Sequence, residues 1–254
     1  MEPKAIVFFD LDGTLLNQQA QIEPEIIVAI EKLKEQNILP VIATGRTQFD
    51  VEESLQHSGI NTLITLNGQY VEHEGQEIYS DTISKKVIHR LLSFSEQRGN
   101  PLAYYSYNEI TISKITPLVE KAYKLLHSPL PTLQTIPKET ANMLLIISED
   151  GDELFREKFP ELQFIRNWPF AIDVINRGSS KAKGIQKFLC KLNLEDIPTY
   201  AFGDGPNDHE MFNCVTYKIA MGNAIDSLKQ QADYVTGSNI EGGIVQGLKY
   251  FNLL

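Results

Sequence analysis

The sequence predicts an α/β protein: a doubly wound parallel sheet interrupted by an inserted α+β unit. Three observations predict it. Short continuous apolar runs such as Ile6-Val7-Phe8-Phe9 recur near both ends of the chain. Stretches with helical spacing alternate with those runs. From about 83 to 176 the alternation gives way to aromatic, β-prone segments punctuated by Pro129, Pro131 and Pro137. The expected division is therefore 1–82 with 177–254 as the core, and 83–176 as the insert.

A continuous apolar run marks a strand covered on both faces by helices. Residues 6–9 are the first such strand. Over 24–33, Ile26, Ile30 and Leu33 fall on helical spacing and Pro24 sits where a first helical turn tolerates it. Residues 39–43 form a second buried strand, and 49–56 a helix closed by a left-handed Gly59. A third strand spans 62–66, followed by the turn signal Asn67-Gly68. In the insert, 103–107 and 143–147 read as strands, and 117–126 and 152–159 as helices. The closing third resumes the alternation, with a helix over 184–192, a strand over 199–202 and helical residues from Asp208. A strand over 217–220, a helix from Ala224 and the short strand Tyr234-Val235 complete it.

With 254 residues, 42% hydrophobic and 22% charged, the chain can bury an ample core. Its formal net charge of −10 without a basic stripe argues against nucleic acid or an anionic membrane as partner. Attraction for phosphate must then be local. No run approaches the roughly 18 apolar residues of a spanning helix. Met1-Glu2-Pro3-Lys4 leads directly into a strand, so no secretory signal is expected. Cys190 and Cys214 lack metal-ligand spacing, and Cys190, within Phe188-Leu189-Cys190, is expected to be a buried free thiol. A cytoplasmic monomer or weak homodimer is expected.

Four strings carry the chemistry: Asp10-Leu11-Asp12-Gly13-Thr14, Ala43-Thr44-Gly45-Arg46, a lysine near 181, and Gly203-Asp204-Gly205-Pro206-Asn207-Asp208. Each lies at or just past the carboxyl end of an apolar run, the edge where open α/β sheets bind ligands. In extended chain Asp10 and Asp12 would point the same way, roughly 6.6 Å apart. Carboxylates gathered there would repel one another, which a bound Mg²⁺ relieves through its preference for oxygen ligands. The expected ligands are Asp10, Asp204 and the backbone carbonyl of Asp12, with Asp208 in or behind them. Asp10 is the expected nucleophile, forming an aspartyl-phosphate. Asp12 is the expected general acid and base, kept partly protonated by neighbouring carboxylates. Thr44, the amide of Gly45, a lysine and Asn207 would hold the phosphoryl oxygens, with Leu11 and Arg46 as further substrate-binding positions.

These motifs resemble those of the haloacid dehalogenase-like hydrolases, and the length and the place of the insert resemble the Cof-type branch. The resemblance spans nearly the whole chain. It implies a Rossmann-like core with a cap, and Mg²⁺-dependent phosphatase activity on small phosphorylated metabolites, sugar phosphates foremost. Ala220-Met221-Gly222-Asn223-Ala224 and Glu241-Gly242-Gly243 also look like the tail of that branch. In that family a serine-lysine pair opens a helix with apolar residues four, seven and eleven places later. Counting from Lys181 meets Ile185, Phe188 and Leu192, whereas counting from Lys183 meets Lys187, Cys190 and Leu194. Lys181 is accordingly the expected phosphate-binding cation.

Some residues have a plainer reading. Arg46 either touches substrate or caps its helix. His209 is expected as an exposed helix residue. Tyr104, Tyr105 and Tyr107, with Asn167-Trp168-Pro169-Phe170, are expected to pack the core of the insert. Two other functions fit the same strings: a phosphotransferase resembling phosphomannomutases, and a silent sensor of phosphorylated metabolites.

Overall fold

A computed structural model describes residues 2–55, 58–125, 128–134 and 138–254, with backbone alone at 49, 52–54, 167 and 168. The chain divides into two compact units, Met1–Tyr79 with Ser180–Leu254, and Ser80–Ser179. Among the described residues no helix is long and apolar enough to cross a membrane.

The first unit is built on an eight-stranded sheet. Its order is Tyr234–Val235, Tyr217–Ala220, Thr199–Gly203, Ala5–Phe9, Ile38–Ala43, Thr62–Thr65, Tyr70–His73 and Gln76–Ser80. The first six strands pair in parallel, and Thr62–Thr65 with Tyr70–His73 turns antiparallel. Every residue of Ala5–Phe9 is buried, as its unbroken apolar run requires. Successive side chains there point to opposite faces. Phe8 meets Phe188 edge-on at 6.3 Å, so helix Lys181–Leu192 lies on one face. Phe9 stacks on Phe202 at 5.3 Å. Phe202 in turn crowds Gly247 of helix Gly243–Tyr250, where an added Cβ would lie 2.5 Å from its ring. That helix therefore covers the other face, beside helix Pro24–Glu35, and the sheet is doubly wound.

Most element boundaries agree with the apolar pattern to within two residues. The helix expected over 49–56 runs Gln48–Leu55, and Gln56 lies outside the described residues. Gly59 is left-handed, at φ +67°. Cys190 departs from expectation: it is exposed. Its helix turns Ile185, Phe188 and Leu189 into the core, which places the next residue, 190, on the solvent side.

The second unit holds a six-stranded sheet ordered Leu162–Trp168, Ala171–Asn176, Met143–Ile147, Leu102–Ser106, Glu109–Ile112 and Thr132–Leu133. All of its pairs are antiparallel but the last, and a small ribbon pairs Ile83–Ser84 with Thr140–Ala141. Its core gathers Leu144, Ile146, Phe155, Phe159 and Ile172. Tyr104 and Tyr105 are buried as expected, whereas Tyr107 is 41% exposed. The side chains of Asn167 and Trp168 lie outside the described residues. At the foot of this unit Asp81 accepts from Asn176 Nδ2 at 2.8 Å and from Ser179 Oγ at 2.9 Å, tying its entering and leaving segments together.

Phe188 is wholly buried and carries the helix that begins at Lys181. Phe188→Ala is expected to cost about 3–5 kcal/mol, read as a lowered urea midpoint at unchanged slope. A loss under about 1 kcal/mol would contradict this packing.

Candidate active site

Three neighbouring parallel strands end at the same edge of the sheet. Ala5–Phe9 runs into Asp10, whose N–H still donates to Phe202 O at 3.0 Å. Ile38–Ala43 runs into Thr44, whose N–H donates to Ile64 O at 2.8 Å. Thr199–Gly203 runs into Asp204. Helix Lys181–Leu192 starts beside them, its Ser180 cap accepting from the Lys183 N–H at 3.3 Å. Asp208 opens the short helix Asp208–Phe212.

Carboxylate oxygens of Asp10, Asp204 and Asp208 all lie within 4.8 Å of one another. Lys181 Nζ stands between two of them, 2.5 Å from Asp10 Oδ1 and 2.7 Å from Asp208 Oδ1. The other oxygen of Asp208 accepts from the N–H groups of Asp204 and Gly205, each at 2.9 Å. Asp204 Oδ1 accepts from Thr14 Oγ1 at 2.8 Å. Gly13 is the only residue type that fits its place, since at φ +79° an added Cβ would lie 2.3 Å from Asp204 Oδ2.

Burial is the first cause of the charge states here. It pushes the Asp10 carboxyl well above the usual carboxylate range, with Lys181 opposing and Asp208 and Asp204 adding to the rise. It pushes Asp204 up to about 6, against the hydrogen bond from Thr14. Burial also works against the charge on Lys181, but Asp10 and Asp208 outweigh it and hold the ammonium above its ordinary pKa. Three carboxylates thus face one ammonium. Their donors are all hard oxygens, with no His or Cys among them, so the cluster suits a divalent cation that prefers oxygen.

The Asp12 carboxyl has a different partner. The strand stops at Phe9, so Asp10 and Asp12 do not share the extended chain expected of them. The Asp12 carboxyl is 57% exposed and takes a two-pronged grip from Arg46, Nε to Oδ2 at 2.8 Å and Nη2 to Oδ1 at 2.5 Å. Its facing group is a cation, in place of the ring of carboxylates expected from the sequence. Arg46 does not cap its helix. Thr47 and Asp50 do that reciprocally, with Thr47 Oγ1 donating to Asp50 Oδ2 at 2.7 Å and accepting from the Asp50 N–H at 3.0 Å.

Thr44 is buried and its Oγ1 accepts from the Arg46 N–H at 3.1 Å. The Leu11 side chain is buried in the apolar core, which leaves its backbone alone for a ligand. Asn207 is half-buried, its Nδ2 3.5 Å from Asn67 Oδ1. Asn67 was legible in the sequence only as a turn residue, yet it belongs to this constellation. Thr14 was likewise visible only as the end of a motif. His209 is half-buried rather than exposed and is bonded to Gln231 and Ser227, which makes it a brace for helix Asp226–Gln231. A cavity of about 740 Å³ lined by Lys34, Pro40, Thr62, His73 and Asn193 lies at the amino ends of the strands, remote from these carboxylates. Chemistry, and not concavity, marks the site.

Known proteins resemble this chain along nearly its whole length. The profile of the haloacid dehalogenase-like hydrolases matches residues 7–248. YkrA of Bacillus subtilis is 33% identical over 252 residues, 98% of each chain. The 5-amino-6-(5-phospho-D-ribitylamino)uracil phosphatase YwtE of the same organism is 30% identical over 271 residues, covering 94% of each. Among solved structures, the HAD subclass IIB sugar phosphatase BT4131 superimposes with a TM-score of 0.84 at 29% identity, over 98% of this chain and 99% of that one. The chain belongs to the haloacid dehalogenase-like hydrolases, in their Cof-type branch, and is a phosphoric monoester hydrolase.

Proposed function

We propose that this phosphatase hydrolyses monoesters of small polyhydroxylated metabolites, sugar phosphates foremost, using Mg²⁺ and an aspartyl-phosphate intermediate. The observation that carries the reading is Lys181 Nζ held 2.5 Å from Asp10 Oδ1, within a cluster that includes Asp204 and Asp208. A buried carboxylate beside a cation and an oxygen-rich metal cage is the equipment in-line attack on phosphorus requires.

In this reading an Asp10 oxygen bonds to phosphorus as the ester P–O bond breaks. Asp12 gives its proton to the leaving alkoxide, then takes one from the water that cleaves the acyl-phosphate. Arg46, which holds Asp12 by both oxygens, passes to the bound ester and so frees that carboxyl to take up the proton it delivers. Thr44 Oγ1, the Gly45 N–H, Lys181 Nζ and Asn207 Nδ2 hold the phosphoryl oxygens. Asp10, Asp204 and the Asp12 carbonyl would hold Mg²⁺, with Asp208 bracing Lys181 and the Asp204 loop behind them. The ion, when bound, neutralises charge on the phosphoryl group. Residues 1–82 and 177–254 are read as the catalytic core, and 83–176 as an inserted cap. The substrate class is supported by the relatives: one is named for a sugar phosphate, another for a phosphorylated ribityl chain.

Asp10→Asn is expected to lower Mg²⁺-dependent hydrolysis of p-nitrophenyl phosphate by at least about a thousandfold while the thermal midpoint holds. Substantial residual turnover would refute the nucleophile. Lys181→Ala is expected to cost about a hundredfold or more, and Lys183→Ala little, in the same assay. The reverse order would move the role to Lys183. Mg²⁺ at about ten times its Kd should stabilise the fold by about 1.4 kcal/mol in thermal melts, and Asp204→Ala should abolish this. Because burial makes Asp204 bind its proton up to about pH 6, protons compete with the ion there. The stabilisation therefore shrinks as pH falls through that value and is full above it; a stabilisation that grew on acidification would contradict the assignment. A panel of phosphorylated metabolites then identifies the preferred ester.

A further inference from the structure

We propose that the turn Leu66-Asn67-Gly68 is a positioning element of the phosphate site, and that Asn67 is its working side chain. Asn67, its carboxamide lying over Gly45, steadies Asn207 for the oxygens of a bound phosphoryl group. The inference rests on the phosphatase reading and deepens it.

The backbone of this turn is costly to form. Leu66 and Asn67 both have φ +54°, and Gly68 follows at +86°. Asn tolerates the left-handed region, but Leu does not, and a buried Leu held there needs an overriding reason. Leu66 and Asn67 are both buried, at 0% and 4% exposure. Such strain persists where surrounding structure imposes it, and such places cluster at ligand sites.

Both flanks of the turn are phosphate-site elements. On one side Leu66 N–H donates to Arg46 O at 2.9 Å and Asn67 N–H to Thr44 O at 3.0 Å. On the other, Gly68 lies against the start of the helix that carries Lys181. A Cβ on Gly68 would be 2.1 Å from Ser180 O, and a Cβ on Gly184 would be 2.8 Å from Gly68 Cα. The turn is therefore wedged between the Thr44-Gly45 loop and the lysine helix, its backbone close to both.

The Asn67 side chain completes the arrangement. A Cβ on Gly45 would lie 3.0 Å from Asn67 Oδ1 and 3.3 Å from Nδ2, so the carboxamide lies over Gly45. Asn207 Nδ2 reaches the same Oδ1 at 3.5 Å, the outer limit of a hydrogen bond. A carboxamide has two N–H donors. With one directed to Asn67, the other is left for an oxygen of the phosphoryl group.

The test measures the Kd of inorganic phosphate by calorimetry with Mg²⁺ present, alongside kcat, KM and the thermal midpoint. The variants are Asn67→Gly, Asn207→Ala and the pair together. Gly keeps the left-handed backbone and removes only the amide. Asn67→Gly is expected to weaken phosphate about five- to tenfold and to raise KM more than it lowers kcat. The double variant is expected to bind within about twofold of Asn207→Ala, because the first residue acts through the second. Additive losses, or an Asn67→Gly affinity within twofold of wild type, would overturn the proposal. If Asn67→Gly does not fold, Asn67→Asp serves, since it keeps the turn and the acceptor but sets a negative charge beside the anion. It should weaken phosphate at least tenfold, and wild-type affinity there would overturn the proposal. Wild-type protein that binds phosphate without hydrolysing esters refutes the phosphatase reading, and the phosphate affinities alone then judge Asn67. Wild-type protein that binds no phosphate overturns both.

Discussion

The structure of this site depends on one buried ammonium. Lys181 Nζ lies between Asp10 and Asp208 in surroundings that expose none of it. Burying an isolated charge is prohibitive, and burying a crowd of like charges more so. The carboxylates can gather at the sheet edge because the lysine offsets part of their repulsion, and the remainder favours a divalent cation. The position of that lysine is set by apolar packing. Ser180 caps its helix, and Ile185 and Phe188, one and two turns on, lock the helix to the sheet. A hydrophobic contact thereby determines where a buried charge stands.

Around this pair the backbone does most of the holding. Asp208 spends one oxygen on two N–H groups of the Asp204 loop and the other on Lys181. Thr14 holds Asp204, and Asn223 Nδ2 donates to Gly13 O at 2.7 Å, which steadies the loop between Asp10 and Thr14. Two carboxylates two residues apart acquire opposite surroundings in this way. Asp10 is buried against an ammonium, while Asp12 is exposed and gripped by a guanidinium.

Much of the fold was legible in the sequence. Residues 217–220 and 143–147 were read to the residue, because a strand buried on both faces writes itself as an unbroken apolar run. Other elements escaped. The hairpin Tyr70–His73 with Gln76–Ser80 is half-exposed, so its Glu, His and Gln residues dilute any alternation. Helix Lys85–Glu96 buries Ile88, Leu91 and Leu92 on proper spacing, but two lysines and a histidine interrupt the stretch. Strands Leu162–Trp168 and Ala171–Asn176 carry Arg166 and Asp173 within them, and their pairing is what makes them strands.

The sequence by itself determined the class of fold, the order of the strands' catalytic ends, and the residue types assembled there, because apolar periodicity and motif spacing are local properties of the chain. The tertiary structure alone decided which atom faces which. Arg46 meets Asp12 across 34 residues, Asp204 meets Thr14 across 190, and Asn67 meets Asn207 across 140. Those partnerships depend on how each loop turns after its strand has ended. There the direction of a side chain is set by left-handed glycines, caps and neighbouring helices, and no repeating pattern in the letters records it.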